Sequence, residues 1–139
     1  MKVVIIAASL LTAFDQPASR PGQHAACSDP AIRAHLDDLV RAASVGGEGE
    51  AVLTGELSDK RFLEPYSGAY FQVSATGREP FASRSLWDRS LKIDGAGQAG
   101  TDRIYDSREF SPERLRVGER IVRLPSSSTL WRFQVGLAC

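Results

Sequence analysis

Between residues 29 and 43 apolar side chains recur at three- and four-residue intervals. Ile32, Leu36, Leu39, Val40 and Ala43 form a stripe, while Arg33, Asp37, Asp38 and Arg41 lie elsewhere around the helix. Asp29-Pro30 reads as its start, because aspartate caps free amide groups and proline fits the first turn. Gly46-Gly47 reads as its end. Beyond Gly49 the period changes to two. Residues 51–57 predict a weak strand, and 58–68, with Pro65, a loop. Ala69–Ala75 alternates Ala69, Phe71, Val73 and Ala75 against Tyr70, Gln72 and Ser74, the pattern of a half-buried strand. Residues 76–79 turn the chain, and 81–86 return as a hairpin partner.

A glycine-rich connection at 95–100 lacks a phosphate-loop ending, and a strand of weaker pattern is expected over 103–110. In the next strand Leu115, Val117 and Ile121 share one phase, whereas Val122 and Leu124 take the other. A bulge or bend is therefore expected near Gly118. Pro125 and the serines after it make a turn. Trp131, Phe133, Val135 and Leu137 then alternate with Arg132, Gln134 and Gly136, the cleanest strand in the chain. The elements together predict an α+β fold: an N-terminal amphipathic helix packed on a mostly antiparallel sheet of five or six strands. One sheet face meets the helix; the other is left for water, a ligand or a partner.

The folded domain is thus expected over residues 29–139, with a linker of proline, glycine and small polar residues at 15–28. Ahead of it, Lys2 and the apolar run from Val3 to Phe14 read as a signal-like segment or remnant membrane anchor. The run is too short to span a bilayer as a helix. Gln23-His24-Ala25-Ala26-Cys27 departs from a lipoprotein box at His24. With 139 residues, one domain is expected. Lysine plus arginine equals aspartate plus glutamate at 17 each, so no net field draws nucleic acid or anionic lipid. Cys27 and Cys139 lie 112 positions apart. Pairing them would require the two ends to meet, and the spacing favours leaving them unpaired. Two cysteines with His24 and His35 lack zinc-ligand spacing, so no metal or cofactor is expected.

Two phrases stand out: Asp59-Lys60-Arg61-Phe62-Leu63-Glu64-Pro65-Tyr66-Ser67-Gly68-Ala69-Tyr70-Phe71-Gln72-Val73, and Ser83-Arg84-Ser85-Leu86-Trp87-Asp88. With the later strand at 115–125 they resemble the periplasmic sensor region of proteobacterial two-component histidine kinases, the PhoQ-related group. The resemblance covers roughly residues 32–137. It implies a PAS-like or PDC-like periplasmic sensor at the inner membrane, placed between two membrane helices and followed by a HAMP linker, a phosphoacceptor helix pair and an ATP-binding domain. No such parts are read in this sequence, so the resemblance implies a non-catalytic input module without its kinase. A small ligand or periplasmic protein would be its partner, with a possible homodimer through the N-terminal helix. A freestanding secreted or periplasmic binding module is the alternative. Magnesium sensing does not carry over, since Glu48, Glu50, Glu56, Asp102, Asp106, Glu109, Glu113 and Glu119 are scattered among arginines.

The candidate ligand-binding residues are Tyr66, Tyr70, Arg84, Trp87 and Asp88. Arg84 suits an anionic ligand and Trp87 an apolar wall; alternatively Arg84 makes an internal ion pair and Trp87 plugs the core. Tyr66 and Tyr70 line a pocket beneath the 58–68 loop, or else anchor that loop by packing and a hydroxyl hydrogen bond. A hydrolase reading has little support, because no Gly-x-Ser-x-Gly elbow, His-Glu-x-x-His helix or cysteine–histidine constellation is found.

Overall fold

The computed structural model describes residues 27–139. The signal-like segment at 1–14 and most of the 15–28 linker lie outside the described residues. Helix α1 (Asp29–Ala42) leads into a small antiparallel pair, β1 (Ala43–Val45) and β2 (Ala51–Leu53). Then come β3 (Ala69–Ser74), β4 (Phe81–Ala82), β5 (Arg103–Ser107), β6 (Leu115–Arg123) and β7 (Leu130–Ala138). These five form one antiparallel sheet in the order β4-β3-β7-β6-β5. The architecture is α+β, one helix on a five-stranded sheet, as the periodicity predicts.

The helix ends differ from expectation. Ser28, not Asp29, is the N-cap: its hydroxyl accepts from the Ala31 N–H at 3.2 Å. Asp29 is drawn instead to Arg116 on β6, at 2.9 Å. The helix stops at Ala42, four residues before the glycine pair, because Ala43–Val45 gain ladder bonds with β2. Gly46-Gly47 belong to that hairpin's turn, closed by Gly46 N–H to Glu50 O at 2.8 Å. The Thr54 N–H donates to the Ala42 carbonyl at 2.8 Å, satisfying an end that no glycine caps.

The apolar stripe of α1 (Ile32, Leu36, Leu39) is buried against Phe71, Val73, Trp131, Phe133, Val135 and Leu137. The alternation in β7 sends every one of those odd-numbered residues to the helix side. The predicted bulge at Gly118 is absent: β6 and β7 pair without interruption from Leu115↔Ala138 to Arg123↔Leu130. The glycine has a different cause. A Cβ there would collide with the Ile32 Cγ2 methyl and lie 3.2 Å from Leu36 Cδ1, so Gly118 is where α1 rests on the sheet. The phase change read from Leu115, Val117, Val122 and Leu124 has its own origin. The first two sit on the far face, while Val122 and Leu124 join the helix-side core.

The far face is also covered, so β3 is buried at every position rather than half-buried. Leu91 and Phe110, from the segments before and after β5, pack on Tyr70, Leu115 and Val117. Phe110 therefore serves as a core residue instead of extending β5, which ends at Ser107. The hairpin partner of β3 is short as well. After Ala82, Ser83 keeps the backbone bond to Phe71 O at 2.9 Å and accepts the Phe71 N–H on its hydroxyl at 3.0 Å. The chain then leaves the sheet as a 3-10 turn at Arg84–Leu86.

Cys27 and Cys139 are joined by a disulfide, against the expectation from spacing, with Cα atoms 5.8 Å apart. Their meeting follows from the topology. Asp29 at the start of α1 is held by Arg116, whose register partner on β7 is Leu137. The Cys139 N–H donates to Arg114 O at 3.0 Å. Both ends are thereby fixed at the same end of the β6–β7 ladder.

Candidate ligand groove and its surroundings

A groove opens where the two distinctive phrases meet. Asp59 begins a 3-10 turn at Lys60–Leu63 by accepting the Arg61 N–H at 3.0 Å. That turn drops Phe62 onto Phe71, with ring centroids 5.4 Å apart, and Phe71 in turn meets Phe81 at 5.9 Å, both edge to face. Leu53, Leu57 and Leu63 complete the apolar lining of a 460 Å³ cleft. This volume falls within the range of small-molecule sites. Leu63 is 60% exposed at its mouth.

The polar groups beneath the groove are already saturated. Besides its bond to Phe71, the Ser83 hydroxyl lies 2.7 Å from that of Ser85, which donates to Ala69 O at 2.6 Å. At the lip stand Glu56, Asp59, Lys60 and Arg84. Asp59 is held by the Arg61 guanidinium through contacts of 2.7 to 3.2 Å, which keep its carboxyl below the usual range. Lys60 and Glu56 approach to 3.9 Å, both largely exposed. Among the described residues, Arg84 enters no ion pair, so the internal pairing considered for it is not found.

Two groove-lining residues, Phe62 and Asp59, reach α1. His35 packs edge-on against Phe62 with centroids 5.5 Å apart, and its Nε2 lies 3.7 Å from Asp59 Oδ2. Burial pushes the His35 pKa down; Asp59 opposes that shift without cancelling it.

The sequence candidates do not assemble into one site. Tyr66 and Asp88 do meet, the phenol donating to Asp88 Oδ1 at 2.6 Å. Tyr70 lies nearby, and between the two rings sits Arg89, a residue the sequence gives no reason to single out. Its guanidinium carbon is 4.6 Å from the Tyr66 ring centre, 5.0 Å from Tyr70 and 4.1 Å from Phe110. The Tyr70 hydroxyl accepts from Arg89 Nη2 at 2.9 Å and from the Gly68 N–H at 3.1 Å, and donates to Glu113 at 2.9 Å. Burial first, then Glu113, pushes the Tyr70 phenol up, so it stays protonated. Tyr66 and Tyr70 do line one open cleft, together with Arg89, Phe110 and Glu113; with its donor and both acceptor directions used, the Tyr70 hydroxyl fastens the 66–70, 89 and 110–113 segments there.

Arg84 belongs to the groove instead. Trp87 belongs to neither place: it is 62% exposed, which rules out the core plug, and it does not line the groove. Tyr66 and Trp87 both carry φ of 57°, a region that β-carbon-bearing residues enter at a cost. The Tyr66 N–H is held by Ser85 O at 2.9 Å, and the Trp87 N–H by Arg84 O at 3.0 Å, which fixes these backbones.

On the far face of the sheet, Glu119 is 2% exposed yet carries a full set of partners. Its oxygens accept from Arg103 at 2.9 Å, Arg132 at 2.9 Å, Tyr105 at 3.1 Å and Gln134 at 2.8 Å. Gln134 also accepts from Gln72 at 3.2 Å and donates to Lys92 O at 3.0 Å. Gln72 binds both backbone groups of Leu91, each at 3.0 Å. This row, crossing three adjacent strands, pins the 91–92 segment over the sheet. Glutamines in otherwise apolar strands were its visible trace in the sequence; the carboxylate at their end was indistinguishable from its scattered neighbours. Every acceptor is occupied, so the row suits fixation rather than proton transfer. Comparison of the chain with protein families, curated proteins and solved structures finds no match in any of the three.

Proposed function

We propose that this is a non-catalytic extracytoplasmic input domain of the two-component histidine-kinase type, PAS-like in architecture, with the groove as its recognition surface. The observation that carries the reading is the groove's origin. Two of the three motifs on which the sensor resemblance rests contribute its walls: Phe62, Leu63 and Phe71 from the first, Ser83 and Arg84 from the second. The contact of Phe62 with His35 gives an occupant a route to α1. An occupant that favours one position of Phe62 would bias the helix by its differential affinity for the two arrangements. The disulfide fits an oxidising compartment such as the periplasm.

The test is a ¹H–¹⁵N titration of the folded chain with a panel of apolar small molecules. Shifts are expected at residues 53–63, 71 and 81–84, followed by His35 and its neighbours on α1. Leu57→Trp, which fills the groove, should abolish them. Perturbations that ignore this region, or that survive Leu57→Trp, would overturn the reading. A freestanding binding module would use the same groove but need no response in α1, so the helix signals separate the two.

A further inference from the structure

The groove's lining and lip together restrict what can occupy it. Its floor offers carbon from Leu53, Leu57, Phe62, Phe71 and Phe81, and its buried hydroxyl is already engaged. A polar group at the deep end of a ligand would therefore be stripped of water with nothing to replace it. Any polar group must lie at the mouth, where the charges are unequal. Asp59 is neutralised by Arg61 at 2.7 Å, and Lys60 and Glu56 offset each other at 3.9 Å. Arg84 is left over, a positive charge without an ion-pair partner among the described residues.

We propose that the groove takes a monoanionic amphiphile: an apolar chain or ring lying on the phenylalanine floor, with a carboxylate at the lip against Arg84. A guanidinium offers a carboxylate two parallel donors, which a neutral hydroxyl cannot exploit equally. This inference rests on the groove being the recognition surface, and it names the class of ligand that surface selects.

The probes are decanoate, decanol and decylamine, each below its aggregation concentration, titrated against the folded chain by NMR shift and by calorimetry. Decanoate should bind in the groove, and decanol about ten- to a hundredfold more weakly, the range that a charge-assisted hydrogen bond contributes. Arg84→Gln should remove decanoate's advantage, and Arg84→Glu should turn the preference toward decylamine. Arg84 is exposed on a surface turn, so these variants leave the core intact. Equal affinity for decanoate and decanol, or a preference untouched by Arg84→Gln, would overturn the carboxylate assignment while leaving the groove standing. If none of the three probes shifts groove residues, both the amphiphile and the groove reading fall.

Discussion

Replacing Gly118 by alanine should destabilise the domain, and the sign of that effect is informative. In an ordinary strand, alanine in place of glycine gains roughly 0.5–1 kcal/mol from reduced backbone freedom. Here the added methyl would occupy space held by Ile32 Cγ2, with Leu36 Cδ1 3.2 Å away, and both neighbours are fully buried. Overpacking of this kind costs about 1–3 kcal/mol, enough to reverse the gain. Urea denaturation followed by circular dichroism should show a lower midpoint with an unchanged m-value. Ile32→Ala alone should cost about 2–5 kcal/mol through its cavity. Combined with Gly118→Ala it should cost less than the sum by about 1 kcal/mol or more, because the new methyl then has room. A Gly118→Ala variant as stable as the parent, or strict additivity in the double variant, would refute this packing of α1 on β6.

Other consequences can be measured on the same denaturation curves. Glu119→Ala should cost about 3–5 kcal/mol, because it leaves Arg103 and Arg132 facing each other without their shared carboxylate; a loss below 1 kcal/mol would deny the network its role. Trp87→Gly should be more stable than Trp87→Ala by about 1 kcal/mol or more, since both lose the same exposed ring but only glycine tolerates the φ of 57°. His35 has a folded pKa below its unfolded value of 6.5, so the unfolded chain binds the proton first. The stability this contributes is complete above pH 6.5 and is lost as pH falls through the lower folded pKa; His35→Gln should flatten that slope between pH 7.5 and 5. Reducing the Cys27–Cys139 bond, which closes a loop of 112-residue separation, should remove about 4.7 kcal/mol by the chain-entropy estimate. An unchanged midpoint in excess reductant would show that the ends are held without it.

The α+β class and the helix-facing residues of β7 were legible because each rests on a period: 3.6 for α1 and two for the strands. Features set by contacts between distant segments were not. Gly118 looked like a strand defect because its neighbour, Ile32, lies far away in sequence and touches it only after docking. The disulfide was disfavoured for the same reason, since spacing alone cannot show that Arg116 brings the start of α1 to the end of β7. At the candidate site, the motif residues ran two separate places together. Tyr66 and Tyr70 enclose Arg89 and Asp88 takes the Tyr66 hydroxyl, while Arg84 lines the groove; Arg84 and Asp88 are close in sequence, but the 3-10 turn at Arg84–Leu86 sends them to different surfaces. Leu53 and Leu57 were missed as groove residues because their segment reads as a weak strand. Their value lies in where the β1–β2 hairpin carries them.

These contacts also constrain how an occupied groove could act on α1 under the proposed function. The helix is fixed at its first turn by the disulfide and by Asp29–Arg116, and further along by Asp37–Arg120 at 2.6 Å. A sliding motion along the helix axis would have to break those ties together and drag Ile32 over Gly118, where there is no free space. The other end is held by the Thr54 N–H on Ala42 O, by Ser58 on Asp38, by the buried Leu39 and by the edge contact of His35 with Phe62. Thr54 directly follows Leu53, itself a groove wall, so the same small hairpin that lines the groove also caps the helix. Under the proposed function, displacing that wall would act first on the C-terminal end of α1, the end this hairpin caps. A response transmitted as a piston stroke would require a different set of restraints from those the chain carries.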